Sequence, residues 1–212
     1  MKKAIIFDMD GTLWDSADNV AESWNIAMKE WGYERAPINE ADMQSVMGKT
    51  MDKIAEILFD KVEGEERASL LAHACKVEND YLREHGGVLY PEIRETMEKL
   101  KENYRLLIVS NCQAGYIEAF LDYYKFHDLV GDIECFGNNN KPKNENIALI
   151  CERNGIAKED AVYVGDIQGD YDAATAAGIK FIHAAYGFGT INTEVPKLQA
   201  FNELPEVVKN VF

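Results

Sequence analysis

The stretch AIIFDMDGTL (Ala4–Leu13) joins a short apolar run to two acidic residues and a glycine. A short apolar run bounded by polar residues is typical of a buried strand in a parallel sheet. Because residues i and i+2 of an extended segment point the same way, we expect Asp8 and Asp10 to direct their carboxylates to one spot. Two such carboxylates can bind Mg²⁺, or can divide nucleophilic attack and proton transfer between them. An ordinary strand followed by a polar turn would leave the same pattern.

Further apolar runs with polar flanks follow along the chain, at Leu106–Val109, Ala161–Val164 and Ile179–His183. Segments with apolar residues at helical spacing lie between them, at Glu92–Asn103, Tyr116–Tyr124 and Asn144–Asn154. Strands that alternate with helices of this length are typical of a doubly wound, Rossmann-like α/β fold with a parallel sheet. We therefore predict this fold class.

The region between the first two predicted strands has no strand pattern, but it carries apolar stripes at helical spacing. One stripe includes Val20, Trp24 and Met28, and another follows Leu70–Tyr81. We predict an inserted α-helical domain over residues 15–86, and a core domain formed by residues 1–14 and 87–212.

Polar residues also follow the other predicted strands. Ser110 and Asn111 end the second strand, where a hydroxyl, an amide and the N–H groups of a following helix can hold an oxyanion. Lys141 precedes a proline and a predicted helix, and could place a positive charge on a phosphate. Asp166 ends a later strand, and Asp170 follows it in the first turn of an alanine-rich helix.

Each of these features alone has a plainer explanation. Ser and Asn are common helix caps, acidic residues stabilise helix N-termini, and most lysines are solvated. In an open parallel sheet, however, ligands bind at the carboxyl ends of the strands, where the strand order switches. Because that edge would gather Asp8, Asp10, Ser110 and Asp166, the combination indicates a site more strongly than any single motif.

The combination resembles the haloacid dehalogenase superfamily of phosphohydrolases over nearly the whole chain. The DxDGT(L) motif of that family matches Asp8–Leu13, and its strand-end Ser or Thr matches Ser110. Its motif lysine matches Lys141, and its GDxxxDxxAAxxAG segment matches Gly165–Gly178. Residues 15–86 resemble the helical cap domains of its phosphoglycolate phosphatase and β-phosphoglucomutase branch.

This resemblance implies a Mg²⁺-dependent phosphatase that hydrolyses a small phosphate monoester through an aspartyl-phosphate. Asp8 is then expected to be the nucleophile, and Asp10 to protonate the leaving oxygen and later activate water. The resemblance further implies phosphate binding by Ser110, Asn111 and Lys141, Mg²⁺ binding by Asp8, the Asp10 backbone carbonyl and Asp166, and support of these ligands by Asp170.

Substrate choice is expected to involve the loop Gly48, Lys49 and Thr50, because caps of this type carry their specificity loop there. One alternative within the family is a β-phosphoglucomutase-like phosphotransferase, which uses the same groups but shields the aspartyl-phosphate from water. A more distant alternative is a non-catalytic, receiver-type phospho-acceptor, although such a module needs no helical cap.

Charge and composition limit the partners. The 212 residues include 22 Lys and Arg against 37 Asp and Glu, which gives a formal net charge of −15. This balance disfavours nucleic acid and anionic membranes as partners, because both are bound by clustered basic residues. The four cysteines form no CxxC pair, which is the pattern of reduced thiols and favours a cytoplasmic protein. The expected partner is a small phosphorylated metabolite.

Overall fold

A computed structural model describes residues 2–212 and contains a sheet of six parallel strands. These strands are β1 (Ala4–Phe7), β4 (Arg105–Ser110), β5 (Asp132–Cys135), β6 (Ala161–Gly165), β7 (Lys180–Ala184) and β8 (Lys197–Leu198). Two further strands, β2 (Trp14–Asp15) and β3 (Val88–Leu89), form a separate antiparallel ribbon. The order in the large sheet is β5-β4-β1-β6-β7-β8, so the first strand in the chain is central.

Helices alternate with the strands of the large sheet, and the doubly wound α/β fold class predicted from the sequence is confirmed. The helices are α1 (Ala17–Trp31), α2 (Glu40–Gln44), α3 (Met51–Leu58), α4 (Gly64–His85), α5 (Ile93–Lys101), α6 (Tyr116–Tyr124), α7 (Phe136–Asn139), α8 (Lys143–Arg153), α9 (Gln168–Ala177) and α10 (Leu204–Val211).

Successive residues of β1 pack into two different cores, one on each face of the sheet. Ile5 and Phe7 belong to the core that includes α5 and α10, whereas Ala4 and Ile6 belong to the core that includes α8 and α9. Alternate side chains of a strand point to opposite faces, so a strand covered by helices on both faces must be apolar throughout. This requirement explains why the run before Asp8 shows no polar alternation.

Helices α1 to α4 occupy the chain between β2 and β3. The ribbon pairs Trp14 with Leu89 and Asp15 with Val88, and so joins the two ends of this helical segment. Inside the segment, α1 packs against α4, and the ring of Trp24 stacks on that of Phe59 at a centroid distance of 5.1 Å. These helices lie between residues 17 and 85, and the predicted division into an inserted domain over residues 15–86 and a core domain stays a prediction.

The sequence patterns did not indicate β5, β8 or the ribbon strands. Strand β5 alternates apolar and acidic residues, and its acids Asp132 and Glu134 each lie 2.8 Å from guanidinium nitrogens of Arg153 on α8. An ion-paired strand near the sheet edge lacks the continuous apolar run of a central strand. The other missed strands have only two residues each, which is too short for any periodicity.

None of the helices within residues 2–212 is long and apolar enough to cross a membrane. Cys75, Cys112, Cys135 and Cys151 are all free thiols.

Candidate active site

Three neighbouring strands end at the same edge of the sheet and bring the predicted site residues together. Asp8 follows β1, Ser110 ends β4, and Asp166 follows β6. The Asp8 backbone N–H donates to Val164 O at 2.9 Å, which extends the pairing of β1 with β6 up to the carboxylate. The strand order switches at β1, because β4 lies on one side of it and β6 on the other. The edge is therefore where a ligand of such a sheet binds.

A tight turn after β1 separates Asp8 from Asp10. Leu13 N donates to Met9 O at 2.8 Å, and Gly11 has a φ of +79°. A Cβ on Gly11 would lie 2.1 Å from Asp166 Oδ2, so only glycine fits between this turn and the Asp166 carboxylate.

Asp10 is held in a different environment from Asp8. Its Oδ1 accepts hydrogen bonds from Ser16 Oγ and from Tyr116 OH, each at 2.6 Å. Burial raises the pKa of Asp10, and these two hydrogen bonds oppose the rise. The cluster of three carboxylates comprises Asp8, Asp166 and Asp170, and Asp10 stands beside it, near enough that its charge helps to raise the pKa of Asp8.

That cluster brings carboxylate oxygens of Asp8, Asp166 and Asp170 within 4.8 Å of one another, and all three residues are buried. Asp170 Oδ2 accepts hydrogen bonds from the backbone N–H groups of Asp166 (3.1 Å) and Ile167 (3.3 Å). Asp166 Oδ2 accepts one from Phe188 N at 2.8 Å. Asp170 thus shapes the turn after β6, and the loop around Phe188 orients Asp166.

The lysine of the site is Lys143, which corrects the prediction of Lys141. Lys143 Nζ lies 3.0 Å from Asp8 Oδ1 and 2.6 Å from Asp170 Oδ1, and the residue is only 5% exposed. Lys141 is exposed, and its backbone N–H bonds to Asn139 Oδ1 at 2.8 Å in the loop before the helix. The physical reason is that α8 begins at Lys143, one residue earlier than predicted, and its first turn faces the strand edge.

The charges of this cluster shift one another's protonation. Desolvation lowers the pKa of Lys143, but attraction by Asp170 and Asp8 outweighs it, so the pKa lies above its ordinary value. Burial, helped by repulsion from Asp170, raises the pKa of Asp8 to about 7, although Lys143 opposes the rise. Burial and repulsion from Asp170 and Asp8 raise the pKa of Asp166 to about 8. One lysine therefore leaves the carboxylates short of positive charge.

Asn111 connects the strand edge to the helical segment. Its Nδ2 donates to Gly48 O at 2.9 Å, and a Cβ on Gly48 would lie 2.4 Å from Ile167 Cδ1. Lys49 is exposed and its Nζ donates to Ser45 O at 3.1 Å, whereas Thr50 stands at the start of α3. Among the three residues of the predicted specificity loop, Gly48 is therefore the one that makes close contact with the carboxyl edge of the sheet.

A cavity of about 40 Å³ lies next to this contact and contains a residue that the sequence patterns did not indicate. Glu78 of α4 lines it together with Asp10, Ser110, Asn111 and Tyr116. Trp24 Nε1 donates to Glu78 Oε2 at 2.6 Å, and burial raises the Glu78 pKa to about 7 against the hydrogen bonds from Trp24 and Gln113. Glu78 follows Ala74 by four residues on the buried face of α4, which is the one signal that could have drawn attention to it.

Comparison with known proteins is consistent with the geometry. Residues 5–184 match the sequence profile of a family described as haloacid dehalogenase-like hydrolase. A phosphoglycolate phosphatase of Nitrosospira multiformis is 31% identical over 197 residues, which cover 88% of this chain and 84% of that protein. A phosphoglycolate phosphatase of Aquifex aeolicus is 30% identical over 199 residues, covering 92% and 90%.

Solved structures share the same fold. The crystal structure of CbbY from Rhodobacter sphaeroides, in complex with phosphate, superposes with a TM-score of 0.80 and covers 96% of each chain. The two sequences are 20% identical, so this similarity concerns the fold.

The assignment of the lysine is testable with a matched pair of variants. Lys143→Ala leaves two buried carboxylates without their counter-charge, so we expect a loss of stability of about 3–5 kcal/mol and a loss of turnover of at least about 100-fold. Lys141→Ala removes an exposed side chain, and we expect wild-type stability and turnover within about 0.5 kcal/mol and about twofold. Urea unfolding and steady-state phosphate release measure both quantities. Equal effects of the two substitutions would contradict the assignment.

The environment of Glu78 predicts how stability varies with pH. Because the folded-state pKa is about 7 against an ordinary 4.5, the folded protein binds the proton more tightly than the unfolded chain in that window. Stability should therefore fall as pH rises from 4.5 to 7, and this residue should contribute a slope of up to about 1.4 kcal/mol per pH unit. Glu78→Gln should remove that slope, as measured by urea unfolding in EDTA across the window. Parallel curves for the two proteins would refute this expectation.

Proposed function

Because the chain belongs to the haloacid dehalogenase-like hydrolases and is an enzyme of the phosphatase class, we propose that it hydrolyses a small phosphate monoester through an aspartyl-phosphate on Asp8. The observation that carries this proposal is the contrast between Asp8 and Asp10. Asp8 lies against the ammonium of Lys143, whereas Asp10 is bound by two hydroxyl groups. Carboxylates in different environments are suited to different roles.

In the proposed first step, a carboxylate oxygen of Asp8 attacks phosphorus and the bond from phosphorus to the leaving oxygen breaks. Asp10 gives its proton to that oxygen, and its burial favours the protonated acid that this role requires. Water then attacks phosphorus, Asp10 takes the proton of the water, and the bond from phosphorus to Asp8 breaks to release phosphate. The hydrogen bonds from Ser16 and Tyr116 hold Asp10 in place for both transfers.

The oxyanions of the substrate require positive charge at the strand edge. We assign the phosphoryl oxygens to Ser110, Lys143 and the backbone N–H of Asn111, whose side-chain amide is engaged by Gly48 O, with Lys143 in the place predicted for Lys141. The ammonium of Lys143 lies next to Asp8 Oδ1, where it offsets the repulsion between carboxylate and phosphate.

The donor set fits a divalent cation such as Mg²⁺, which prefers carboxylate, carbonyl and water oxygens. Asp8 Oδ1 is buried and accepts no well-aligned hydrogen bond from residues 2–212, although the lysine charge is close. Asp170 is already engaged by Lys143 and two backbone N–H groups, which leaves Asp8, Asp166 and the Asp10 carbonyl as the proposed ligands. When bound, the ion supplies positive charge that stabilises the transferred phosphoryl group.

Helices α1 to α4 are proposed to act as a cap that excludes water from this site. Their contact with the edge runs through Gly48, which receives the Asn111 amide and packs on Ile167. A closed site favours attack by Asp8 over solvent and strengthens electrostatic interactions inside it. This cap also weighs against the receiver-type alternative, which needs no such segment.

The phosphotransferase alternative uses the same catalytic groups as the phosphatase, so an assay has to separate the two. Incubation with β-glucose 1-phosphate separates the two activities, because a mutase yields the 6-phosphate whereas a phosphatase yields free phosphate.

The nucleophile and the cation can be tested together. Asp8→Asn removes the attacking carboxylate but keeps the size of the side chain, so we expect turnover to fall by at least about 1,000-fold. Chelation with EDTA should abolish wild-type phosphate release, and added Mg²⁺ should restore it. The assay is phosphate release from a panel of small esters that includes 2-phosphoglycolate. Activity that survives either treatment would overturn this mechanism.

The closure contact predicts a second effect on turnover. Gly48→Ala places a Cβ at a φ of +81° and against Ile167 Cδ1, so we expect kcat/KM to fall by about tenfold or more. Adding Ile167→Ala removes the clash and should recover part of the loss.

The control for this pair is Gly32→Ala at the end of α1. Gly32 has a similar φ of +78°, but no atom lies within 4 Å of the position that its new methyl group would take. It should lower stability without changing kcat/KM. Equal kinetic losses in the Gly48 and Gly32 variants would mean that backbone strain, not closure, governs turnover.

A further inference from the structure

The cavity next to Asp10 can receive the leaving group of a substrate. Its volume of about 40 Å³ lies between the strand edge and helices α1 to α4, and it opens to solvent. Val20, Trp24, Met43 and Ile54 form much of its apolar wall. Because Ser110 and Asn111 line the same space, the part of a substrate beyond its phosphate would enter it.

Glu78 gives this cavity an acidic wall with no basic partner. It is 3% exposed, and Trp24 Nε1 is the donor that holds its Oε2. Burial, hydrogen bonds from Trp24 and Gln113 and the charge of Asp10 shift the pKa of Glu78, and none of these groups is basic. Lys49 also lines the cavity, but its ammonium donates to Ser45 O and the side chain is exposed.

Two further acceptors line the same space without a hydrogen bond. Asn111 Oδ1 and Gln113 Oε1 are buried and accept no bond from any group in residues 2–212. Their amide nitrogens donate to Gly48 O at 2.9 Å and to Asn79 Oδ1 at 3.0 Å, which fixes which end of each amide is the oxygen. Unpaired buried acceptors are rare in native proteins, so these two oxygens require a donor from water or from a bound ligand. The cavity therefore has a surplus of acceptors.

We propose that Glu78 is a specificity-determining residue that accepts a hydrogen bond from a hydroxyl or ammonium group on the leaving alcohol of the substrate. The substrate class is then a phosphate ester of a short alcohol that carries a second donor group and no negative charge. This inference rests on the proposed hydrolysis and narrows its substrate.

The same arrangement disfavours a leaving group that carries a carboxylate. Such a group would face Glu78 and two amide oxygens at short range, in a setting where water screens charge poorly. Like charges placed together in a binding site lower affinity strongly. The relatives from Nitrosospira multiformis and Aquifex aeolicus are called phosphoglycolate phosphatases, and phosphoglycolate carries a carboxylate. Because of its acidic cavity wall, we expect this chain to prefer a different phosphate ester.

The test compares four small esters in the presence of Mg²⁺ at about pH 8, above the Glu78 pKa of about 7, so that this carboxylate is ionised. They are glycerol 1-phosphate with hydroxyls, phosphoethanolamine with an ammonium, 2-phosphoglycolate with a carboxylate, and ethyl phosphate with neither. The proteins are wild type, Glu78→Gln and the control Glu84→Gln, an exposed acid on the same helix. The readout is each kcat/KM divided by the value for ethyl phosphate, which cancels any general loss of active protein.

Wild type should prefer glycerol 1-phosphate or phosphoethanolamine to 2-phosphoglycolate by at least about tenfold. Glu78→Gln should raise the relative value for 2-phosphoglycolate by about tenfold, because one negative charge is removed. A large fall for phosphoethanolamine alone would identify an ammonium as the natural donor, since a glutamine oxygen still accepts from a hydroxyl. Glu84→Gln should keep the wild-type ratios.

Two results would overturn the inference. One is a wild-type preference for 2-phosphoglycolate over both donor-bearing esters, and the other is a set of ratios that Glu78→Gln leaves unchanged. Binding of the four esters to the Asp8→Asn protein, with and without Glu78→Gln, separates this outcome from failure of the proposed hydrolysis. If Glu78→Gln changes the dissociation constants as expected but wild type shows no turnover, the specificity is supported and the proposed reaction is refuted. Absence of both turnover and binding would refute both.

Discussion

The ammonium of Lys143 lies between the carboxylates of Asp8 and Asp170, and the arrangement of the strand edge depends on this buried contact. A charge this deep in a protein is tolerated only where opposite charge and hydrogen bonds surround it. Asp170 meets that condition on one side and also accepts the N–H groups that shape the turn at Asp166. The start of α8, the start of α9 and the end of β1 are thus fixed by a single lysine. The cluster still holds more acid than base, which is the physical basis for expecting a cation there.

The two acids of the DxD motif differ because their surroundings differ. Asp8 faces the lysine and the other acids, whereas Asp10 turns toward the hydroxyls of Ser16 and Tyr116 and toward the cavity. In the proposed reaction this places the nucleophile in the charged cluster and the proton donor beside the leaving group. The helical segment completes the division, since it supplies Ser16 near Asp10 and the acidic wall of the cavity at Glu78. In the proposed reaction, chemistry and selectivity thus come from separate parts of the chain.

The fold and most of the polar residues at the carboxyl edge of the sheet could be predicted, because each follows from a local sequence pattern. Parallel strands buried on both faces leave continuous apolar runs, and the polar residues after them must meet at one edge. The lysine was misplaced because Lys141 and Lys143 flank one proline, and the sequence does not indicate on which of them the helix begins. Strand β5 was missed because its acids are balanced by Arg153, a partner distant in sequence.

The α/β class, the buried first strand and the position of Asp8, Asp10 and Asp166 at strand ends could be read from the sequence without a structure. These features follow from the periodicity of apolar residues and from where the strands stop. The tertiary structure alone decided which lysine reaches Asp8, that Ser16 and Tyr116 hold Asp10, and that Glu78 faces the cavity. Each of those outcomes depends on contacts between residues far apart along the chain, such as Tyr116 with Asp10 at a separation of 106 residues. Spacing along a chain specifies what is near in sequence, whereas packing determines what is near in space.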